Sequence, residues 1–217
     1  MHRSEPSNNA KKQREATIFE AACQVIRDKG FHHARITDIA QEAGISYGLV
    51  YHYFGSKAHL YDAILEEWWN GLFNALEETD RQSAPVETKL SAIVHYFFDL
   101  YDQRPNLVHI FVTEISRASA NLTPARLKFF KIFFDKTEKI MAGAQETNEL
   151  RSDIKARYLT YIFFGALESF VSTMVLENQP LKGPAQKERI VSGLLEVFLN
   201  GAREKERSRK QPGGRDR

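Results

Sequence analysis

Cysteine is nearly absent from the chain: Cys23 is the only one among 217 residues, so no internal disulfide can form. A lone thiol beside Val25 and Ile26 on a helical face reads as a small core residue, not a nucleophile. Long apolar runs are missing too. None approaches the roughly 20 residues that a membrane span needs, and MHRSEPSNNAKKQRE at the N-terminus lacks the apolar centre of a signal peptide. The expectation is a cytoplasmic protein without membrane contact. Strand signals are scarce, since no Asn-Gly or Asp-Gly turn joins two alternating stretches and no alternation is sustained. Enzyme signatures are equally thin. The expectation is no G-x-S-x-G elbow, no His pair at i, i+4, no phosphate loop and no paired-carboxylate site, so neither a catalytic nor a metal-binding set is assigned. His32-His33, next to Gly30, reads as a solvated pair in a turn.

What is present is helical periodicity. Ile18, Ala21, Ala22, Val25 and Ile26 form one stripe; Leu60, Ile64, Trp68, Leu72 and Leu76 a second; Leu90, Ile93, Val94, Phe97, Leu100 and Tyr101 a third. Proline and glycine fall between the stripes, at Pro85, Pro105, Pro124, Pro180, Gly183 and Pro184. Thr123-Pro124 reads as an N-cap followed by proline at the first helical position. The spacing predicts an all-α chain of about nine helices, over 11–29, 37–43, 47–54, 57–80, 86–103, 106–118, 124–147, 154–178 and 185–203. It also predicts unstructured ends at 1–10 and 204–217, which are polar and without apolar anchors. The formal charge of +2 is uneven. Residues 1–57 carry eight Lys/Arg against six Asp/Glu, residues 201–217 seven against three, and the middle 15 against 19. A mildly basic start on an acidic body is compatible with a nucleic-acid module.

The segment ISYGLVYHYFGSK, Ile45 to Lys57, sharpens that reading. A helix of about two turns has little stability of its own. Here Ile45, Val50 and Phe54 can turn inward while Tyr47, Gly48, Tyr51 and His52 face out. Upstream, TDIAQEAG is a short helix with Ile39, Ala40 and Ala43 inward and Gly44 at a left-handed C-cap, and Ser46 is placed to cap the next helix. Helix, glycine turn, helix is the arrangement that lays a second helix in the major groove of DNA. At the start of the following helix the Lys57 ammonium and the first free amides favour a phosphate.

Residues Thr37 to Leu60, TDIAQEAGISYGLVYHYFGSKAHL, resemble the signature of the tetracycline-repressor-like (TetR) family of bacterial transcription regulators. The match runs over roughly residues 14–68: D-I-A, then A-G-I-S, G, Y-H-Y-F and S-K in register. The resemblance implies a helix-turn-helix DNA-binding domain over 11–56, a ligand-binding and dimerisation domain over 57–203, and a homodimer on a double-stranded operator. It also implies DNA contacts from Thr37, Ser46, Tyr47, Gly48, Tyr51, His52, Tyr53 and Lys57. Two positions depart from the family pattern. Arg35 stands where Thr or Ser usually caps the helix, so that the cap moves to Thr37 or Arg35 reaches a phosphate. Tyr47 stands where Lys is common, which alters base preference because a phenol cannot make the contact that Lys or Arg makes to guanine.

Ten of the fifteen Phe lie between Phe97 and Phe170, several as adjacent pairs that make a helix apolar over a wide arc. Such interior helices either pack solid or enclose an apolar pocket. The tail FFGALESFVSTMVLEN, followed by a Pro/Gly turn and a closing helix, resembles the fatty-acid-degradation subgroup of the family, whose effectors are long-chain acyl-coenzyme A thioesters. On that resemblance the acyl chain lies among Phe97, Tyr101, Phe111, Phe130, Phe134, Tyr161 and Phe164, with Arg104 or Arg117 near the coenzyme's phosphates. No cofactor is implied. Glu114 and Glu168 are polar residues placed in the same interior, and a carboxylate there needs a ligand, a partner's cation or water. A regulator of efflux sensing diverse apolar compounds is the alternative within the family; a helical enzyme or adaptor is the alternative outside it. Gly165, Ala166 and Ser169, with the stripe Ile190, Val191, Leu194, Leu195, Phe198 and Leu199, predict dimerisation through helices 154–178 and 185–203.

Overall fold

The computed structural model describes residues 8–81, 83–115 and 124–203. Among them nine α-helices occur in the order α1 Asn8–Lys29, α2 Ile36–Glu42, α3 Tyr47–Phe54, α4 Lys57–Arg81, α5 Val86–Gln103, α6 Pro105–Ile110, α7 Pro124–Glu146, α8 Ala156–Leu176 and α9 Pro184–Ala202, with no strand. α1 begins at Asn8, so Asn8 to Ala10 are helical where an unstructured start was expected. The helix expected over 106–118 is instead α6 followed by a π-helical turn, Phe111–Ile115. Thr123, Arg117 and the expected unstructured run 204–217 lie outside the described residues.

The three expected stripes face the interior. Ile18, Ala22, Ile39, Leu60, Leu72, Leu90 and Ile93 are each at most 1% exposed. Cys23 is buried with them, and burial, followed by the neighbouring Glu20, pushes its thiol up to about 12. α4 crosses α5 closely at Gly71, where an added Cβ would collide with the Tyr96 hydroxyl; that hydroxyl donates to the Trp68 carbonyl at 2.7 Å. α8 departs from the expectation that no helix suits a membrane, because its 21 residues are long and apolar enough by composition to cross one. Thr, Ser, Gly and Tyr interrupt the apolar run to the eye without adding charge. Its inner face, including Leu159, Phe163 and Leu167, is buried.

The expected stripe on α9 faces the core: Val191, Leu195, Phe198 and Leu199 are buried and Ile190 and Leu194 pack against them, whereas Val197, outside that stripe, is 78% exposed. Between α8 and α9 runs an apolar groove of about 600 Å³ lined by Ile162, Ala166, Phe170, Leu194 and Val197 among others.

Candidate nucleic-acid interface and effector site

α2 and α3 are joined by a tight turn whose hydrogen bonds require glycine. Gly44 has φ +64°, its amide donates to Gln41 O at 3.1 Å, and the Ile45 amide donates to Ala40 O at 3.0 Å. This pair is the Schellman arrangement, which satisfies the last carbonyls of α2. α2 begins at Ile36, one residue ahead of expectation, because the cap stays at Arg35. An arginine has no acceptor for the helix amides. The bond that forms is the reciprocal one, Arg35 N–H to Asp38 Oδ2 at 3.1 Å. Asp38 also meets Lys29 at 3.0 Å, and these two contacts, Lys29 first, hold its carboxyl below the ordinary range. Thr37 is therefore not the cap, and it stands exposed in the first turn of α2.

α3 has one buried residue, Val50, with Phe54 half-buried against Phe19 at a ring separation of 5.3 Å. Ser46 occupies the N-cap position, accepting the amides of Leu49 and Val50 through its carbonyl, but its hydroxyl makes no cap bond. Tyr47, Gly48, Tyr51 and His52 are exposed. The Tyr47 and Tyr51 rings lie 4.8 Å apart, and their mutual hydrogen bond raises the Tyr47 phenol pKa. Tyr53, expected among the DNA contacts, is half-buried and packs on the core. Contrary to the expectation of no such motif, Gly44, Ser46 and Gly48 have the G-x-S-x-G spacing of a nucleophile elbow. An elbow needs a strand ahead of the serine; here α2 precedes it.

Two features of this surface escape sequence reasoning. His32 and His33, in the turn after α1, share a groove of about 480 Å³ with Arg35, Thr37, Tyr47 and Tyr51. No local pattern says that this turn folds beside α3. Lys57, expected at a phosphate, donates instead to the carbonyls of Phe31 at 2.8 Å, His32 at 3.3 Å and Ala34 at 3.1 Å, and its ammonium sits 4.5 Å from the Phe31 ring centroid. Its three protons are thus committed to holding the α1–α2 turn against the start of α4.

The expected effector residues fall into two groups. Phe97, Phe111, Phe130, Phe134 and Phe164 belong to a continuous aromatic array organised around Trp68, Trp69 and Phe133. Trp68 stacks on Phe111 at 4.2 Å and 6°, Trp69 meets Phe130 at 4.9 Å, and Phe133 meets Phe164 at 5.0 Å. At such separations the rings touch one another. Tyr161 caps the outer edge of the array, 5.5 Å from Phe134 and 49% exposed, rather than lying inside. The adjacent Trp68 and Trp69 of α4 carry the same wide-arc signal as the Phe pairs, a signal by which Trp69 is legible in the sequence as part of this interior.

The second group does other work. The Tyr101 hydroxyl donates to Gln179 O at 2.7 Å, tying α5 to the end of α8. Glu168 accepts from Ser172 Oγ at 2.7 Å on its own helix. Glu114 lies in the π turn. Arg104, expected near a ligand's phosphates, sits at the α5–α6 junction with Nη1 2.5 Å from Glu67 of α4 and Nε 2.8 Å from Glu20 of α1. The Nε contact is off the N–H axis, so it is a charge contact and not a linear hydrogen bond. Burial opposes ionisation of Arg104, but Glu67 and Glu20 together hold its pKa above the ordinary value. Two residues on, Asn106 accepts from Arg27 at 2.6 Å and donates to Gln24 at 2.8 Å. α1 is thereby clasped to both α4 and α6.

Comparison with known proteins agrees with this geometry. Residues 18–64 match the family described as bacterial regulatory proteins, tetR family, and residues 65–196 match the C-terminal region of YsiA-like proteins. The fatty acid metabolism regulator protein of Bacillus subtilis is 23% identical over 188 residues, covering 87% of this chain and 95% of that one. The fold is shared with the crystal structure of the Bacillus subtilis regulator FadR in complex with stearoyl-CoA, at TM-score 0.70 and 21% identity over 86% of this chain and 98% of that one. It is shared also with AibR in complex with isovaleryl coenzyme A and operator DNA, at TM-score 0.67 and 18% identity over 85% and 97%.

Proposed function

The chain belongs to the tetR family of bacterial regulatory proteins and is a DNA-binding transcriptional regulator, not an enzyme; from that premise we propose that it is a cytoplasmic repressor that holds a palindromic operator as a homodimer and releases it when a long-chain acyl-coenzyme A enters the aromatic array. The observation that carries the DNA reading is Gly48. It lies in the first turn of an eight-residue helix, exposed, and a Cβ built there meets nothing within 4 Å. Glycine costs a helix about 1 kcal/mol relative to alanine. Nothing inside the protein uses the missing side chain, whereas a DNA backbone or base edge brought against α3 does.

The reading face comprises Tyr47, Gly48, Tyr51 and His52, with Arg35, Thr37, Ser46 and the His32-His33 turn beside it. Tyr51→Ala is expected to weaken a selected operator duplex by about 5–150-fold, the ~1–3 kcal/mol of a good base contact, and to leave unrelated duplex nearly unchanged. Lys57→Met is expected to weaken both duplexes without flattening the salt dependence, since its ammonium is spent on carbonyls. Fluorescence anisotropy over a salt series separates the two variants. Equal losses from Tyr51→Ala in every duplex would remove it from the reading role.

The groove between α8 and α9 supports the homodimer. Gly165, Gly193 and Gly201 lie on these helices with no atom within 4 Å of an added Cβ. Three helix glycines without a use in their own subunit are accounted for by a second copy approaching closely, which also covers the apolar outer face of α8 in place of lipid. The two-fold then spaces the α3 helices about one DNA turn, ~34–36 Å, or a multiple of it.

Release follows from linkage: the effector must prefer one arrangement of α4 and α6 over another. A coupling of ~1–3 kcal/mol changes operator affinity by about 5–150-fold. Gel-shift titration with palmitoyl-coenzyme A, after selection of an operator from random duplexes, is expected to show that release. Undiminished binding at saturating thioester, with no rise in melting temperature, rules out this class of effector.

A further inference from the structure

Trp68 is 1% exposed, and its indole Nε1–H has no hydrogen-bond partner among the described residues. Its backbone carbonyl is satisfied by Tyr96, so the side-chain donor alone lacks an acceptor. Three rings pack against the indole, and Trp68 also borders a groove that carries Glu67, Asn70 and Arg104. Phe111 stacks on its face, and Phe97 and Tyr96 stand nearly perpendicular to it at 5.5 Å and 6.4 Å. A buried donor left without an acceptor is disfavoured, and native interiors rarely keep one without a reason. Where this core needs only bulk it uses phenylalanine, as at Phe97, Phe111 and Phe133. A buried tryptophan whose N–H finds no acceptor is explained by another state of the molecule that supplies one.

A second observation falls at the same spot. Phe111, the ring that covers the indole, is the first residue of the π turn. π turns are rare, gather at functional sites, and differ from the α register by one residue. A shift of one residue carries a side chain about 100° around the helix axis. The ring lying on Trp68 is therefore held by the part of the fold most readily re-registered, and α6, which carries it, begins at the Arg104–Asn106 clasp on α1.

We infer that the indole N–H of Trp68 is the internal polar anchor of the effector, donating a hydrogen bond in the plane of its ring to a carbonyl-type oxygen that reaches the indole edge when Phe111 is re-registered. The inference rests on the effector reading above and deepens it. An acyl thioester carries one carbonyl where its chain meets the coenzyme. The chain replaces neighbouring rings of the array, and the carbonyl meets Trp68.

The test compares palmitoyl-coenzyme A with S-hexadecyl-coenzyme A, the thioether with the same chain and coenzyme but no carbonyl, on the full chain. The unaltered protein is expected to hold the thioester roughly tenfold more tightly, the yield of one net hydrogen bond. Trp68→Phe is expected to lose that preference while Trp69→Phe keeps it. In the ¹⁵N–¹H spectrum the Trp68 indole resonance, assigned by its disappearance in the variant, is expected to move downfield with the thioester and not with the thioether. Equal affinity of the unaltered protein for the two compounds overturns the anchor, as does a preference that survives in Trp68→Phe. Should that variant fail to fold, the comparison on the unaltered protein and the indole resonance decide. Binding without preference removes the anchor alone; no binding of palmitoyl-coenzyme A removes the effector reading and the anchor with it.

Discussion

Val197→Glu is expected to yield a folded monomer that binds the operator about two to three orders of magnitude more weakly. Val197 is 78% exposed in the single chain, so a carboxylate there disturbs no contact within the subunit. In the proposed dimer the same position lies in the α8–α9 groove. The two-fold places one glutamate from each copy in an apolar interface, where each unpaired charge costs several kcal/mol. The effect on DNA follows because a palindrome is held by two α3 helices at once, and each 1.4 kcal/mol of lost joint binding is a tenfold loss in affinity. Sedimentation velocity reports the association state and anisotropy the affinity. A Val197→Glu protein that stays dimeric at micromolar concentration would place the pairing surface elsewhere.

What could be read beforehand divides by the range of the interactions involved. α3 falls on Tyr47–Phe54 as expected, because its limits are set by Ser46 and Gly55, both within a few residues, and its inner face by Val50 alone. The same holds for the α5 limits, Val86 and Gln103, bounded by Pro85 and Pro105. Readings that depend on what a distant segment brings were the ones that shifted. Lys57 looks like a phosphate ligand from its place at the start of a helix, yet its acceptors are carbonyls more than twenty residues upstream. Arg104 looks like a free cation beside an apolar region, and only the tertiary fold shows Glu20 and Glu67 converging on it. The α9 stripe is legible as apolar, but how deeply each of its members is covered is decided by the crossing of α8. Periodicity reports that a residue is covered, without saying by what.

The largest regulatory effect is expected from Arg104→Ala: a repressor that still binds operator but no longer answers the effector. Arg104 joins three helices, since Glu20 belongs to the DNA-reading unit, Glu67 to α4, and Arg104 itself to the start of α6. Its guanidinium suits this place because it is planar, stays charged and presents several donors in fixed directions, so one side chain can face two carboxylates. Removing it leaves Glu20 and Glu67 without their common cation, at an expected loss of about 1–2 kcal/mol of stability, less than for a fully buried pair because both carboxylates are partly exposed. That loss is small beside the effect on coupling. A displacement of Phe111 moves α6, whose polar ties to the reading unit are Arg104 and the Asn106 bonds to Arg27 and Gln24. With the ion pairs gone, the difference that the effector makes to operator affinity is expected to shrink from the ~5–150-fold range to about twofold, while operator affinity without effector changes little. Arg104→Lys is expected to fall between, because one ammonium cannot hold both carboxylates in the same geometry. The measurement is a pair of operator titrations, with and without palmitoyl-coenzyme A, on each variant. Full release of Arg104→Ala by the thioester would shift the transmission to α4 alone, whose Trp68 and Lys57 already connect the aromatic array to the turn behind α3.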